Sequence, residues 1–197
     1  MPVAFTLEQK EKIRTKIFAF ARNAVKEYEV SKISVRLITE AAGISKGAFY
    51  IFYDSKEQLF YELARMLHEE IIRPTYAILG MCTLSSAERI TQAIISGCEA
   101  LDKSGMERFL TKDIPDLMQK LPKEVLKEQR DREKEILDYF LEVSGQLAVP
   151  KEEAYAAING LILTAFERKH LGNTYEKVLS WMAEGVCNRI FCSTRMC

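Results

Sequence analysis

The chain has 197 residues, enough for one or two domains with a buried core, and its 48% hydrophobic and 28% charged residues are ordinary for a globular protein. Its net charge is zero, and the excess in residues 1–65 is small, at 11 Lys and Arg against 8 Asp and Glu, so charge alone does not indicate a nucleic-acid partner. No apolar run approaches the ~18 residues of a membrane span, and the N-terminus lacks a signal peptide. We therefore expect a cytoplasmic protein without membrane segments.

The first predicted element is a helix over residues 7–28, opened by a capping box of Thr6 and Gln9. Two shorter helices follow within residues 34–53, around a tight turn. Ser34 and Ser45 have side chains suited to capping them, and Gly43 supplies the left-handed residue that ends the first. Apolar residues recur at helical spacing in both, so each has one buried side. This pattern predicts a helix-turn-helix, with residues 46–53 as the helix that enters the major groove.

Residues 44–50 (ISKGAFY) and 54–59 (DSKEQL) resemble the signature of the TetR family of bacterial transcriptional repressors. The resemblance implies an all-α fold, with a three-helix helix-turn-helix DNA-binding domain over residues 1–55 and a helical ligand-binding and dimerisation domain over residues 56–197. One departure lies between the first two helices, where Glu29 stands at the place of a common helix-ending glycine. Either the turn differs there or a non-glycine residue carries modest backbone strain.

The same resemblance implies which residues contact DNA. The Tyr50 hydroxyl and Lys56, at the N-terminus of the next helix, would hold the phosphate backbone. Arg36 would bind a phosphate or a base edge, Ala48 would touch a thymine methyl group, and Ile51 would face the groove without reading hydrogen bonds. The whole predicted DNA-contact set is Ser34, Arg36, Ser45, Lys46, Gly47, Ala48, Tyr50, Ile51 and Lys56.

Helices are predicted for the rest of the chain as well. One runs from Lys56 to about Ile72, where Arg73 and Pro74 are expected to stop it. Further helices are expected from Ser85, capped with Glu88, to Gly105; from Pro122 to Ser144; and from Pro150 onward. Residues 109–121 form a shorter, less regular segment containing Pro115. The last helix is expected to open with a capping pair of Asn173 and Glu176.

The last two helices are the most apolar pair and carry the small residues Ala156, Ala157, Gly160 and Ala165, which permit close approach. The resemblance implies a homodimer built from these helices; a buried helix pair within a monomer is the alternative. It also implies a small-molecule effector, largely apolar, bound in the helical domain. Asn159 is of interest because an amide on an apolar helix needs a partner, either a ligand or a backbone carbonyl. The predicted lining is Tyr61, Met66, Cys98, Phe109, Met118, Tyr139, Phe140, Asn159 and Phe166.

Catalysis finds no support in the sequence. His68 and His170 lie far apart and outside any recognisable motif, and the five cysteines include no C-x-x-C pair, so neither an enzyme nor a metal or other cofactor is expected. The leading hypothesis is a transcriptional regulator, specifically a repressor that an effector releases from a pseudo-palindromic operator in double-stranded DNA. The alternative is a helical interaction or adaptor protein of the same fold without sequence-specific DNA binding.

Overall fold

The computed structural model describes residues 5–192, without the side chain of Lys169. The prediction of an all-α fold is confirmed over that range, where extended pairing is limited to an isolated antiparallel bridge between Leu147 and Phe191. None of the described helices is long and apolar enough to cross a membrane. The α-helices are α1 (Leu7–Glu27), α2 (Val35–Ala42), α3 (Lys46–Phe49), α4 (Lys56–Leu79), α5 (Ser86–Ser104), α6 (Ile114–Met118), α7 (Lys123–Ser144), α8 (Lys151–Phe166), α9 (Arg168–Leu171) and α10 (Tyr175–Ile190).

The chain folds as two compact units. The first, which we call the N-terminal unit, combines the described residues up to His68 with Gly105–Lys123. The second, the C-terminal unit, combines Glu69–Ser104 with the described residues from Glu124 onward. A functional division into domains 1–55 and 56–197 stays a prediction, because compactness does not identify which part binds DNA.

Two of the predicted helix starts, at α1 and α5, are confirmed by their capping boxes. At α1, the Thr6 hydroxyl accepts a hydrogen bond from Gln9 N at 3.2 Å, and the Gln9 side chain accepts one from Thr6 N at 2.9 Å. Ser85 and Glu88 form the same reciprocal pair before α5. Each box satisfies two of the N–H groups that a helix start leaves without intrahelical partners.

Helix α4 was predicted too short. It continues through Pro74 to Leu79, seven residues beyond the expected end. Proline lacks an N–H group and costs about 3 kcal/mol inside a helix. The continued helix buries Thr75 and Leu79, one turn apart, at 4% and 3% exposure. The Thr75 hydroxyl also donates to the Ile72 carbonyl at 2.5 Å. Burial therefore outweighs the local preference of the sequence.

The predicted start of the last helix is wrong. A short helix, α9, and a 3₁₀ turn over Gly172–Thr174 precede α10, whose N-cap Thr174 makes no capping hydrogen bond with its side chain. Glu176 instead accepts a hydrogen bond from Arg168 at 2.8 Å. An ionised carboxylate makes a charge-assisted bond with either partner, but the guanidinium also carries a full positive charge, which favours the bond to Arg168.

The core of the C-terminal unit includes faces of α5, α8 and α10, with α10 packed against both other helices. Cys98 and Cys187 lie in this core as free thiols, whereas Cys82 is exposed. Burial raises the pKa of both core thiols, which suits small apolar fillers rather than nucleophiles. Cys197 lies outside the described residues.

Candidate nucleic-acid interface

The helix-turn-helix begins with α2. The Ser34 hydroxyl accepts a hydrogen bond from Leu37 N at 3.3 Å, so Ser34 is the predicted cap. The helix ends at Gly43, which has φ 72° and ψ 36° in the left-handed region. A residue with a Cβ adopts this conformation only with strain. The tight turn between the two helices therefore depends on a glycine at this position, as expected.

Helix α3 begins at the predicted residue but ends earlier than expected. Ser45 caps it, its hydroxyl accepting from Ala48 N at 3.2 Å. Regular α-helix covers only Lys46–Phe49, not the predicted residues 46–53. Tighter turns continue from there, with Ile51 N donating to the Ala48 carbonyl at 3.1 Å. Such i to i+3 bonds are common where an α-helix ends.

The inner side of this segment belongs to the core. Phe49, Phe52 and Tyr53 are buried, and the rings of Phe49 and Tyr53 lie 5.6 Å apart. The prediction that this helix has one buried side is therefore confirmed. Burial raises the pKa of the Tyr53 hydroxyl, and the nearby Glu62 carboxylate raises it further.

The outer side of the helix-turn-helix as a whole carries most of the predicted DNA-contact residues. Tyr50 and Ile51 are each 50% exposed, and the Tyr50 ring is held edge-on against Phe49 with centroids 5.4 Å apart. Arg36 on α2 is exposed and lies 3.7 Å from the Glu40 carboxylate. The other exposed members of the predicted set are Ser34, Ser45, Lys46 and Gly47.

Ala48 is placed differently. Only 7% of its surface is exposed, because it lies on the core side of α3. Its methyl group is therefore not presented for a thymine contact, and we remove Ala48 from the DNA-contact set. The helical pattern alone did not separate it from its neighbours, since Gly47 and Ala48 are both small.

Lys56 opens α4, as predicted, but its ammonium group is engaged within the protein. It is half-buried, and its Nζ donates to the Val30 carbonyl at 2.9 Å. The cap before it also differs from a standard box. Ser55 accepts from Gln58 N at 3.1 Å, but the Gln58 side chain accepts from Asp54 N, one residue earlier than in a standard capping box.

The connection between α1 and α2 avoids strain by taking a different turn. Tyr28 and Glu29 have φ values of −122° and −63°, and a 3₁₀ turn follows over Val30–Lys32. Between residues 5 and 192, positive φ values occur only at glycines. Of the two alternatives for Glu29, a different turn is therefore correct and backbone strain is not.

Two residues that sequence patterns did not identify hold this connection. Arg108 donates to the carbonyls of Val25 and Tyr28, and Asp113 accepts from Val30 N at 3.1 Å. Arg108 and Asp113 lie about 80 positions later in the sequence than the residues that they contact. No periodicity or capping motif spans such a separation, so only the packed structure brings these residues together.

Comparison with known proteins supports the resemblance to the TetR family. Residues 17–63 match the family model of bacterial regulatory proteins, tetR family. No curated protein matches the chain by sequence. The resemblance to the TetR family is confirmed: the helix-turn-helix segment has the family pattern, and the fold is that of solved TetR/AcrR-type regulators.

Three solved structures illustrate the similarity in fold. A TetR/AcrR-family transcriptional regulator from Thermobifida fusca YX-ER1 has 19% sequence identity to this chain and a TM-score of 0.66. The alignment covers 89% of this chain and 96% of the regulator. NalD, the secondary repressor of the MexAB-OprM multidrug efflux pump in Pseudomonas aeruginosa, has 21% sequence identity and a TM-score of 0.63. The alignment covers 94% of this chain and 100% of NalD. FadR from Bacillus subtilis, solved with stearoyl-CoA, has 15% sequence identity and a TM-score of 0.59. The alignment covers 90% of this chain and 99% of FadR.

The predicted effector-lining residues are divided between the two units. Tyr61, Met66, Phe109 and Met118 belong to the N-terminal unit, and Cys98, Tyr139, Phe140, Asn159 and Phe166 to the C-terminal unit. Phe109 is fully buried beside Phe60, with ring centroids 6.4 Å apart, as a core residue would be. Met66 and Tyr139 are nearly half exposed.

Asn159 is exposed, so water can satisfy its amide and the reason for singling it out no longer holds. Tyr139 and Phe140 do lie together, and Tyr76 joins them with centroids 6.0 and 5.7 Å from their rings. Tyr76 was not predicted, because it lies beyond the proline at which α4 was expected to end.

Proposed function

We propose that this chain is a DNA-binding transcriptional regulator, a dimeric repressor that a small molecule releases from a pseudo-palindromic operator. The observation that carries the proposal is the capped helix-turn-helix in the segment that matches the TetR family. Its turn is set by Gly43, its inner side is buried, and its outer side presents Lys46 and Tyr50 to solvent. A short helix exposed on one side in this way fits the major groove.

Most of the polar groups proposed for this interface suit phosphate rather than bases. The Tyr50 hydroxyl is a hydrogen-bond donor on a ring fixed against Phe49, and Lys46 carries a positive charge at the start of α3. Gly47 has no side chain, so the helix backbone can approach DNA closely there, and Ile51 offers only an apolar contact. Phosphate contacts set position and affinity, so DNA shape is expected to contribute to sequence preference.

The homodimer is proposed to form through α8 and α10. On α8, Ala156, Asn159, Gly160 and Leu163 recur at helical spacing and are exposed, Leu163 by 62%. On α10, Trp181 is 60% exposed, with the Lys177 ammonium 5.1 Å from its ring centroid. Large exposed apolar side chains beside small ones allow close helix approach between subunits. A dimer places two recognition helices for two half-sites.

The effector is proposed to be largely apolar and to bind in the helical part of the chain. The Tyr76, Tyr139 and Phe140 cluster supports this, because its rings are mutually packed yet two of them remain 39% and 49% exposed. FadR, which has a similar fold, was solved with stearoyl-CoA. The division into a DNA-binding part over residues 1–55 and an effector-binding and dimerisation part over 56–197 belongs to the same proposal.

Fluorescence anisotropy with a labelled duplex from the DNA beside the protein's own gene tests this function. Binding should weaken steeply as salt increases, because cations are released from the phosphates. Tyr50→Phe should weaken binding, whereas Lys103→Gln, which removes a charge from a surface pair with Glu99 in the C-terminal unit, should not. Absence of binding at low salt would reject the regulator and favour the interaction-protein alternative.

A further inference from the structure

We infer that Arg108 and Asp113 are positioning residues for DNA binding, because they hold the connection that leads from α1 into the helix-turn-helix. This inference rests on the proposed function. Both residues lie in the N-terminal unit, although they are distant in sequence from the segment that matches the family model. They are therefore absent from the helix-turn-helix motif itself.

Arg108 acts as a helix cap supplied from another part of the chain. Its Nη2 donates to the carbonyl oxygens of Val25 at 2.5 Å and Tyr28 at 2.7 Å. The last carbonyls of a helix lack intrahelical donors, and together they carry partial negative charge. A guanidinium group satisfies both needs at the end of α1. In many helices a glycine performs this function, but Glu29 stands here instead.

Asp113 completes the arrangement from the other side. One of its carboxylate oxygens accepts from Arg108 Nη1 at 3.0 Å, and the other accepts from Val30 N at 3.1 Å. Asp113 is only 7% exposed. A buried carboxylate is costly unless both oxygens are satisfied, and here each has a donor. The pair therefore forms a closed network rather than a chance surface contact.

Val30 is consequently held at both of its backbone polar groups. Its N–H donates to Asp113, and its carbonyl accepts from Lys56 at the start of α4. Four residues later, Ser34 caps α2, which packs against α1. The position of residues 28–33 thus sets how α2, and α3 after it, lie against α1. Loosening this connection would misplace the recognition helix without removing any group that contacts DNA.

The test compares Arg108→Gln and Asp113→Ala with Lys112→Ala in the full chain. Lys112 is an exposed positive residue of the same segment and serves as the matched control. DNA affinity is measured at several salt concentrations, with hydrogen exchange at the Val30 amide and thermal unfolding. We expect roughly a tenfold loss of affinity for the first two variants, the size expected from hydrogen bonds to charged groups, with an unchanged salt slope and faster Val30 exchange.

Asp113→Asn keeps an oxygen that can accept from Val30 N, so it should retain more affinity than Asp113→Ala. If either main variant fails to fold, Asp113→Asn and Arg108→Lys provide the comparison. Faster Val30 exchange with wild-type affinity would overturn the inference, and so would a reduced salt slope, since Arg108 would then contact phosphate itself. A wild-type chain that binds no DNA would instead overturn the proposed function.

Discussion

Lys56 donates a hydrogen bond of 2.9 Å from Nζ to the carbonyl oxygen of Val30, across 26 positions of sequence. The family resemblance assigns Lys56 to a DNA phosphate, but in the free protein its ammonium group binds a backbone carbonyl. A lysine has three donors, but one ammonium group on one stem reaches few partners at once. Its contribution to DNA binding is thus open to a direct test.

We predict that Lys56→Met weakens DNA binding and leaves the salt slope unchanged, because its charge supports Val30. By contrast, Lys46→Met should reduce the magnitude of the slope by about 0.9, the value for one lost phosphate contact. Anisotropy titrations at four or more salt concentrations measure both. A reduced slope for Lys56→Met would show that Lys56 leaves Val30 and takes a phosphate in the complex.

The two glycines of the helix-turn-helix are predicted to respond differently to alanine, with a loss of stability only at Gly43. A Cβ at Gly43 would meet no atom within 4 Å, but φ is +72°, so Gly43→Ala should lower the free energy of unfolding by roughly 1 kcal/mol. Gly47 lies in α3, where a Cβ would meet only the Ser45 hydroxyl at 4.0 Å. Gly47→Ala should therefore be neutral or stabilising by up to about 1 kcal/mol.

Urea denaturation of both variants measures this difference. The pair is informative because the two positions are close in sequence and differ in backbone conformation. Equal losses of stability would mean that close packing, not the left-handed turn, decides the requirement for glycine. DNA affinity of Gly47→Ala provides a separate readout, since the added methyl group would stand on the outer side of α3.

The parts of the molecule that were predictable depend on residues near each other in sequence. Thr6 with Gln9, Ser34, Gly43 and Ser45 each act within four positions, and all behave as their local chemistry predicts. The buried side of the helix-turn-helix was equally readable, because helical spacing relates a residue's position in sequence to its face. These features together specify most of the candidate interface.

The parts that were not predictable depend on distant neighbours. The end of α4 follows from burial of Thr75 and Leu79, which sequence spacing alone does not reveal beyond a proline. The turn at Glu29 follows from a hydrogen-bond donor, Arg108, and an acceptor, Asp113, which are about 80 positions away. Likewise, Glu176 bonds to Arg168, which is eight positions earlier and outside its own helix, rather than forming the predicted cap. In each case a tertiary contact outweighs a local preference.

Pro74 offers a test of that balance. We predict that Pro74→Ala raises the free energy of unfolding by about 1–3 kcal/mol, because alanine restores an N–H donor inside α4 and removes the ring. Pro150 is the matched control, since it is the N-cap of α8, where its missing N–H group lies outside the helix. Chemical denaturation compares the two. A loss of stability for Pro74→Ala would mean that surrounding side chains require the proline ring.

The exposed face of α8 gives the test of the dimer. Leu163 is 62% exposed, so Leu163→Glu should leave the folded monomer intact while placing a charge in the proposed interface. Light scattering after gel filtration should show a wild-type dimer at micromolar concentration and a monomer for Leu163→Glu. Met81→Glu is the control, because Met81 is also exposed, by 44%, but lies outside α8 and α10.

Leu163→Glu should also change DNA affinity. A monomer holds one recognition helix and so engages a single half-site, which should reduce affinity for a two-half-site duplex far more than affinity for a half-site duplex. If Leu163→Glu remains a dimer, the subunits associate through another surface. If the wild-type chain is itself a monomer with full affinity for the two-half-site duplex, paired half-sites are not required and the proposed operator symmetry is wrong.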